Sequence, residues 1–500
     1  MFAIWLAMII VLLCVLYTYI TRTRVKNPPP GPPGWPILGC LLEIDPSHLH
    51  FNLDRWAKKY GPLILFRLAT KKMIVMSCPR KVKKALMEKG YSEVLNDRPD
   101  SFISKYIMDE ANGVLYGKKK TSVPVKKMLY KGLDMYGQGV QQFEAMALKE
   151  MEKLLKSVAD QGGKDFNPRE FLSNSVANLI VTLLIGSVTD KSYADVIWEY
   201  NNAFKETAEV ATDAILWTFP FLRFLPVEAG RKYRRTIYAK KELIEKFYQS
   251  QKETYKAGRE RGLVDALLKL HSQENRDGET QWLTDSQIRA IIQDIIFGGL
   301  ASTTNSILFV LLVLLHRHEC VDGIYKEIVK VVGVERYPGL KDKPAMPYTE
   351  AVILEALRYI THIPIAATHR AMEDVELEGY IIPKEATIMI NIWTIHHDPA
   401  IWGDPWTFRP ERFLDEVGGL LPADHVLRQS LVSFGVGERS CPGENLAKTR
   451  MFLCLTALVQ KFDILPPDVG TLPSDDPRTF PFGASLKPPA YNMRAVARRI

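Results

Sequence analysis

The sequence predicts a mainly α protein with minor β structure: one large helical domain with small β-sheets, preceded by an N-terminal transmembrane helix. Three observations carry this. Residues 3–20 are apolar and uncharged over nearly the length a bilayer span requires. From 140 to 330 the apolar residues recur mostly at helical spacing. No Ser/Gly-rich linker breaks the chain after residue 40, so 500 residues, 47% hydrophobic and 24% charged, read as one body with a large core. The net charge of +8 is spread out with no basic stripe and interleaved aromatics, which excludes a nucleic-acid binder. Six cysteines without C-x-x-C pairing or regular spacing argue against a disulfide framework and fit a reducing, cytosolic setting.

The elements follow in order. Arg22, Arg24 and Lys26 come directly after the apolar run, the reverse of a cleavable signal peptide. Residues 1–26 therefore read as an uncleaved, single-pass signal anchor with the body of the protein facing the cytosol, in the endoplasmic reticulum membrane. Residues 27–39, with six prolines before Ile37, read as a stiff hinge between anchor and globule. Residues 50–60 form an amphipathic helix, and 62–68 with 73–76 a β-hairpin. Turn clusters near 162–168, 273–280 and 333–348 separate the helices. Short strands return at 374–390, and the chain after Trp393 is irregular to about 430. Between 216 and 237 an apolar loop adjoins Arg231, Lys232, Arg234 and Arg235, a composition suited to dipping into a lipid surface.

Three motifs carry chemistry. Residues 283–315 form a long helix without proline, capped at Thr284 or Asp285 and reaching roughly 45 Å. Gly298 and Gly299 lie inside it, each weakening a helix by about 1 kcal/mol. Close approach of a flat partner offsets that cost, and Ser302, Thr303 and Thr304 can back-bond to the helix and open a groove. Glu355 and Arg358 sit at i, i+3 on one helical face, with Pro410-Glu411-Arg412-Phe413 about fifty residues on. Last comes Phe434-Gly-Val-Gly-Glu-Arg439-Ser-Cys441-Pro-Gly443, a cysteine in a Gly-rich loop ahead of a helix. Glycines 435, 437 and 443 are expected to permit positive φ and close approach. The helix N-terminus and Arg439 are expected to favour the thiolate, a metal ligand.

These motifs, in this order and over the whole chain, resemble the cytochrome P450 family. The resemblance implies the P450 fold, with 40–500 as the haem-binding catalytic domain, haem b as cofactor and Cys441 as axial ligand of the haem iron. Arg439, His369, Lys126 and Phe434 match cofactor-binding positions. Glu355, Arg358 and Arg412 match a buried structural network behind the haem. Against the family pattern [A/G]-G-x-[D/E]-T-T, Thr303 matches the threonine that guides dioxygen and protons, Leu300 stands in place of the second glycine and Ser302 in place of the acid. Against W-x-x-x-R, Ser122 replaces the Trp and Lys126 the Arg, while Pro124 suits a first helical turn better than an interior. Phe297, Ala301, Ile363, Ile365, Ala366 and Ala367 match pocket-lining positions, all apolar. Met135 to Gly139, the Arg98-Pro-Asp region and 395–399 are similar to animal microsomal members, the drug-metabolising and steroid 17α-hydroxylase group.

The implied activity is a membrane-anchored haem-thiolate monooxygenase that inserts one oxygen atom from O2 into a steroid, lipid or xenobiotic. NADPH electrons arrive through NADPH-cytochrome P450 reductase and its FAD and FMN, with cytochrome b5 as a second donor. Lys118, Lys119, Lys120, Lys126, Lys127, Lys448 and Arg450 are expected to form a basic proximal face for that acidic partner. Because Ser302 replaces the acid, two alternatives stay open: a haem-thiolate enzyme that isomerises or rearranges peroxides, and a non-catalytic haem protein that binds a ligand.

Overall fold

The computed structural model describes residues 2–22, 26–35, 38–69, 71–136, 141–187, 190–274, 283–483 and 485–498. Part of the expected basic flank, part of the hinge, most of the 273–280 turn cluster and residues 137–139 of the microsomal resemblance lie outside the described residues.

Helix α1 (Phe2–Arg22) is apolar, and its side chains from Ile4 to Leu13 are exposed. The one described helix long and apolar enough to cross a membrane is a different one, Asp285–Leu315, more than half buried inside the protein. The apolar stretch Ile4–Thr18 is shorter.

The helical body comprises α2 (Lys119–Leu133), α3 (Gln141–Ala159), α4 (Pro168–Ile185), α5 (Ser192–Thr207), α6 (Val210–Thr218), α7 (Glu228–Ile244), α8 (Asp285–Leu315), α9 (His318–Val331), α10 (Pro347–Ile360) and α11 (Glu444–Lys461), among other helices that include the expected one at Leu49–Tyr60. One hydrophobic core joins most of them. Helix α8 runs through it, packed by α4, α5, α10 and α11. Its start is the expected one: the Thr284 hydroxyl accepts from Gln287 N–H at 3.2 Å and the Gln287 side chain accepts from Thr284 N–H at 2.7 Å. Pro124 departs from expectation. It lies inside α2, past the first turn, and the helix continues through it to Leu133.

The β part is small. Strands β1 (Leu63–Leu68) and β2 (Lys71–Met76) form the expected antiparallel hairpin. β2 pairs in parallel with β6 (Thr387–Ile390), which pairs antiparallel with β3 (His369–Arg370). β4 (Val375–Leu377) with β5 (Tyr380–Ile382), and β7 (Phe462–Leu465) with β8 (Arg494–Ala497), make two further ribbons. The β2–β6 pairing brings residues more than three hundred apart in the chain together. It holds the segment from Ile363 to His369 against the sheet, where Ala366 N–H donates to Ile390 C=O at 3.1 Å.

Candidate functional site

The cysteine loop is closed by one backbone bond, Cys441 N–H to Phe434 C=O at 2.8 Å. Gly435 and Gly437 turn it at φ of +72° and +71°. A Cβ on Gly437 would stand 2.5 Å from the Leu86 carbonyl oxygen. Gly443 does not need positive φ, since it sits at −91° as the N-cap of α11. It supplies room instead: a Cβ there would come 3.8 Å from Cys441 Sγ. The Cys441 side chain is accessible yet deep in the fold. Burial pushes its thiol up, while the Gly443 N–H and the Lys126 ammonium pull it down. The cation acting on the sulfur is thus Lys126 and not Arg439. Lys126 Nζ donates to Ser440 C=O at 2.6 Å and Glu438 C=O at 3.0 Å, tying α2 to the loop. The Phe434 ring lies 5.3 Å from Lys448 Nζ.

Arg439 turns the other way, into a cluster of positive groups. Its Nη2 donates to Gly117 C=O at 2.8 Å, and its Nε and Nη1 are buried without partners. Beside it Arg98 donates Nε to Leu115 C=O at 3.0 Å and Nη1 to the Ala367 and Thr368 carbonyls at 2.7 Å each. Burial lowers both: Arg98 to about 9, chiefly by burial and then by the charge of Arg439, and Arg439 to about 10 by burial, which Asp97, Asp294 and Glu438 oppose. His369 completes the group. Its Nδ1 is buried without a partner, and burial and then the two arginines hold it neutral. Asp97, the nearest carboxylate in sequence, is committed to Arg370 and to Lys119 N–H. Two guanidiniums confined this way need an anion.

On the opposite side α8 presents an open face. A Cβ on Gly298 would meet nothing within 4 Å, and the Ser302 hydroxyl donates to Gly298 C=O on that face. Gly299 faces away, where a Cβ would come 3.4 Å from Ile180 of α4. Thr303, one turn beyond Gly299, lies on the Gly299 side of the helix, and Thr304 is buried with its hydroxyl on Leu300 C=O at 2.8 Å. The hydroxyl on the open face is therefore that of Ser302, preceded by Ala301. Four residues before Gly298, Asp294 is pushed up to about 6, by burial against the Leu115 and Val114 amides that it accepts from. Phe297 packs against Phe204 of α5 with the rings tilted by 55° and their centroids 4.3 Å apart. Of the other pocket candidates Ile363 is exposed and Ala301 partly so. Ile365 and Ala366 pack partly into the sheet.

The site thus comprises a cysteine in a Gly-turned loop, a pair of buried guanidiniums beside a histidine, and a helical face open at Gly298. The cytochrome P450 family model matches residues 29–494. The chain belongs to the cytochrome P450 family. It is 29% identical to human cytochrome P450 2U1, over 97% of this chain and 91% of the relative. It is 28% identical to the steroid 17-alpha-hydroxylase/17,20 lyase of Ictalurus punctatus, over 99% and 96%. Human cytochrome P450 1A1 is 29% identical, over 91% of each chain.

This P450 is accordingly a haem-dependent monooxygenase, and its residues fit haem: the orphaned Arg439 and His369 nitrogens, with Arg98, are what two propionates would satisfy. The Glu355 network is also built. Arg358 donates Nε and Nη2 to the Glu355 carboxylate at 2.7 and 2.8 Å, and Arg412 Nε donates to it at 3.0 Å. Arg358 also reaches His396 C=O at 2.9 Å, and His396 Nε2 accepts from Val432 N–H at 3.0 Å, two residues before the cysteine loop. Arg98 received no role from the sequence, although it lies in a stretch already similar to microsomal members. An arginine followed by Pro99 and Asp100 carries no local mark of burial. Arg450 corrects the expected basic face, being fully buried with Nη2 on the Ser175 hydroxyl. Lys118 and Lys119 are paired with Asp100 and Glu438, which leaves Lys120 and Lys127 exposed.

Proposed function

We propose that this P450 is tethered to the endoplasmic reticulum membrane by residues 1–26 and the 27–39 hinge, with residues 40–500 in the cytosol. It inserts one oxygen atom from O2 into an apolar small molecule. Electrons come from NADPH through cytochrome P450 reductase, with cytochrome b5 as a second donor. When bound, the haem supplies the reductive activation of dioxygen and the transfer of its oxygen.

The chain's own residues have distinct roles in this reading. Cys441 would hold the haem iron through its sulfur, and a bound metal cation would favour the thiolate against the burial that raises its thiol. Arg439, Arg98 and His369 would hold the propionates, while Lys126 braces the cysteine loop through the Ser440 and Glu438 carbonyls. Ser302 holds and passes protons at its Oγ on the open face of α8, with no carboxylic acid beside it. Phe297, Ala301 and Ile363 exclude water and contact the substrate. Exposed Lys120 and Lys127 suit an acidic electron donor. The exposed Phe219, Phe221, Phe224 and Leu225, beside the basic α7, suit shallow contact with lipid.

The single observation that carries the reading is the cysteine loop itself, which sets Cys441 two residues from Arg439, a buried guanidinium with two unpartnered nitrogens. No feature of the site favours the rearrangement or ligand-binding alternatives. The test is reconstitution with reductase and NADPH, scoring oxygenated product per NADPH over apolar substrates. Coupled product formation supports the proposal. NADPH-independent turnover of hydroperoxides alone would overturn it.

A further inference from the structure

Positive charge gathers on the distal side, where the proposed reaction does not use it. Lys205 follows Phe204, whose ring meets Phe297 of α8 at 4.3 Å. The Lys205 side chain is exposed to open space, yet lies deep enough that burial lowers its pKa, and the charges that reach it, Lys487 and Arg169, are both positive. Arg169, at the start of α4, donates Nη1 to Asn305 Oδ1 of α8 at 3.2 Å and Nη2 to Pro488 C=O at 3.1 Å. Lys487 lies in the same loop, whose Leu486 N–H donates to His362 C=O at 2.9 Å. The His362 Nδ1 contacts Ser306 Oγ at 3.3 Å, one turn beyond Ser302, and its Nε2 is buried without a partner. Helix α5, the start of α4, residues 485–488 and the segment after α10 thus converge beside α8. They bring three cations and a histidine together, and among the described residues no carboxylate is paired with Lys205, Lys487 or Arg169.

We propose that Lys205, supported by the field of Lys487 and Arg169, binds the anionic end, a carboxylate or a sulfate ester, of an otherwise apolar substrate whose body lies along Phe297 and Ile363. The proposal rests on the P450 reading, which places the substrate on this face of α8. An oxyanion is attracted to an open Lys205 ammonium whose charged neighbours are both positive, and the aromatic and aliphatic surroundings take the apolar body.

The test uses full-length holoprotein in neutral detergent. Palmitate is compared with methyl palmitate, and a steroid sulfate with its parent alcohol, by the shift of the haem band. Displacement of a fluorescent fatty acid gives a second readout that does not depend on haem. At least one anion should bind tenfold or more tighter than its neutral counterpart, and which pair shows it identifies the source. Lys205→Gln should remove about tenfold for the anion and leave the neutral ligand unchanged. Lys205→Arg should restore the preference, and added salt should shrink it. Equal binding of anion and neutral counterpart in both pairs overturns the proposal, as does a Lys205→Gln loss shared equally by both. An intact thiolate spectrum in the same preparation assigns such a failure to this proposal alone, whereas a missing one counts against the P450 reading.

Discussion

Glu355 holds together more of the haem-side scaffold than any other described carboxylate at the site, so Glu355→Ala is the sharpest test of how that scaffold works. Its two oxygens accept from Arg358 twice, from Arg412 Nε and from Arg409 N–H at 2.9 Å. The three charged side chains are 0%, 0% and 3% exposed. Removing the carboxylate leaves two guanidiniums buried with only carbonyl partners. Breaking one buried pair costs about 3–5 kcal/mol. Both pairs share one acid, so their losses do not add, and about 4 kcal/mol is a working floor. A chain of this length unfolds with an entropy that makes roughly 1 kcal/mol worth about 1 °C, so the melting temperature should fall by about 4 °C or more. The loss should also reach the cysteine loop through His396 and Val432, lowering haem per protein. Thermal melting and haem quantitation on the purified variant read both effects. An unchanged melting temperature with full haem content would refute the reasoning.

Three other outcomes follow from the geometry. Ser302→Ala should cut product per NADPH severalfold while Thr303→Ala changes it little, and the opposite ranking would show that the open face has been assigned to the wrong hydroxyl. Gly437→Ala forces a Cβ to 2.5 Å from the Leu86 carbonyl at positive φ, so haem content should drop, and full occupancy would contradict the strain. His50 is buried among the Phe51, Trp393 and Phe482 rings with both nitrogens unpartnered, and burial lowers it to about 4. A depressed histidine stabilises the fold above its unfolded pKa of about 6.5 and loses that contribution as pH falls toward 4, at up to about 1.4 kcal/mol per unit. His50→Phe should therefore flatten the acid side of the melting-temperature profile, and an unchanged slope would exclude His50 as a cause.

Local signals were the legible ones. The α8 cap, the β1–β2 hairpin, the Glu355–Arg358 pair and the cysteine loop all announce themselves within a few residues, because periodicity, capping and turn chemistry act at short range. What the sequence hid depends on contacts far along the chain. Arg98 acquires its meaning from carbonyls at 367 and 368. Arg450 reads as a surface cation until α4 covers it. The choice between Ser302 and Thr303 turns on which side of α8 meets Ile180, and adjacent residues on a helix differ by about a quarter-turn that no motif resolves. The β7–β8 ribbon was missed for the same reason, since its strands lie about thirty residues apart with no turn signal to join them.

The central claim is that Cys441 holds haem iron as a thiolate above a loop braced by Lys126. Its most direct measurement is the carbon monoxide difference spectrum of the reduced holoprotein beside that of Cys441→Ala. The wild type should show the thiolate-type band and the variant should lose it. A thiolate-type band that persists in Cys441→Ala would contradict the assignment.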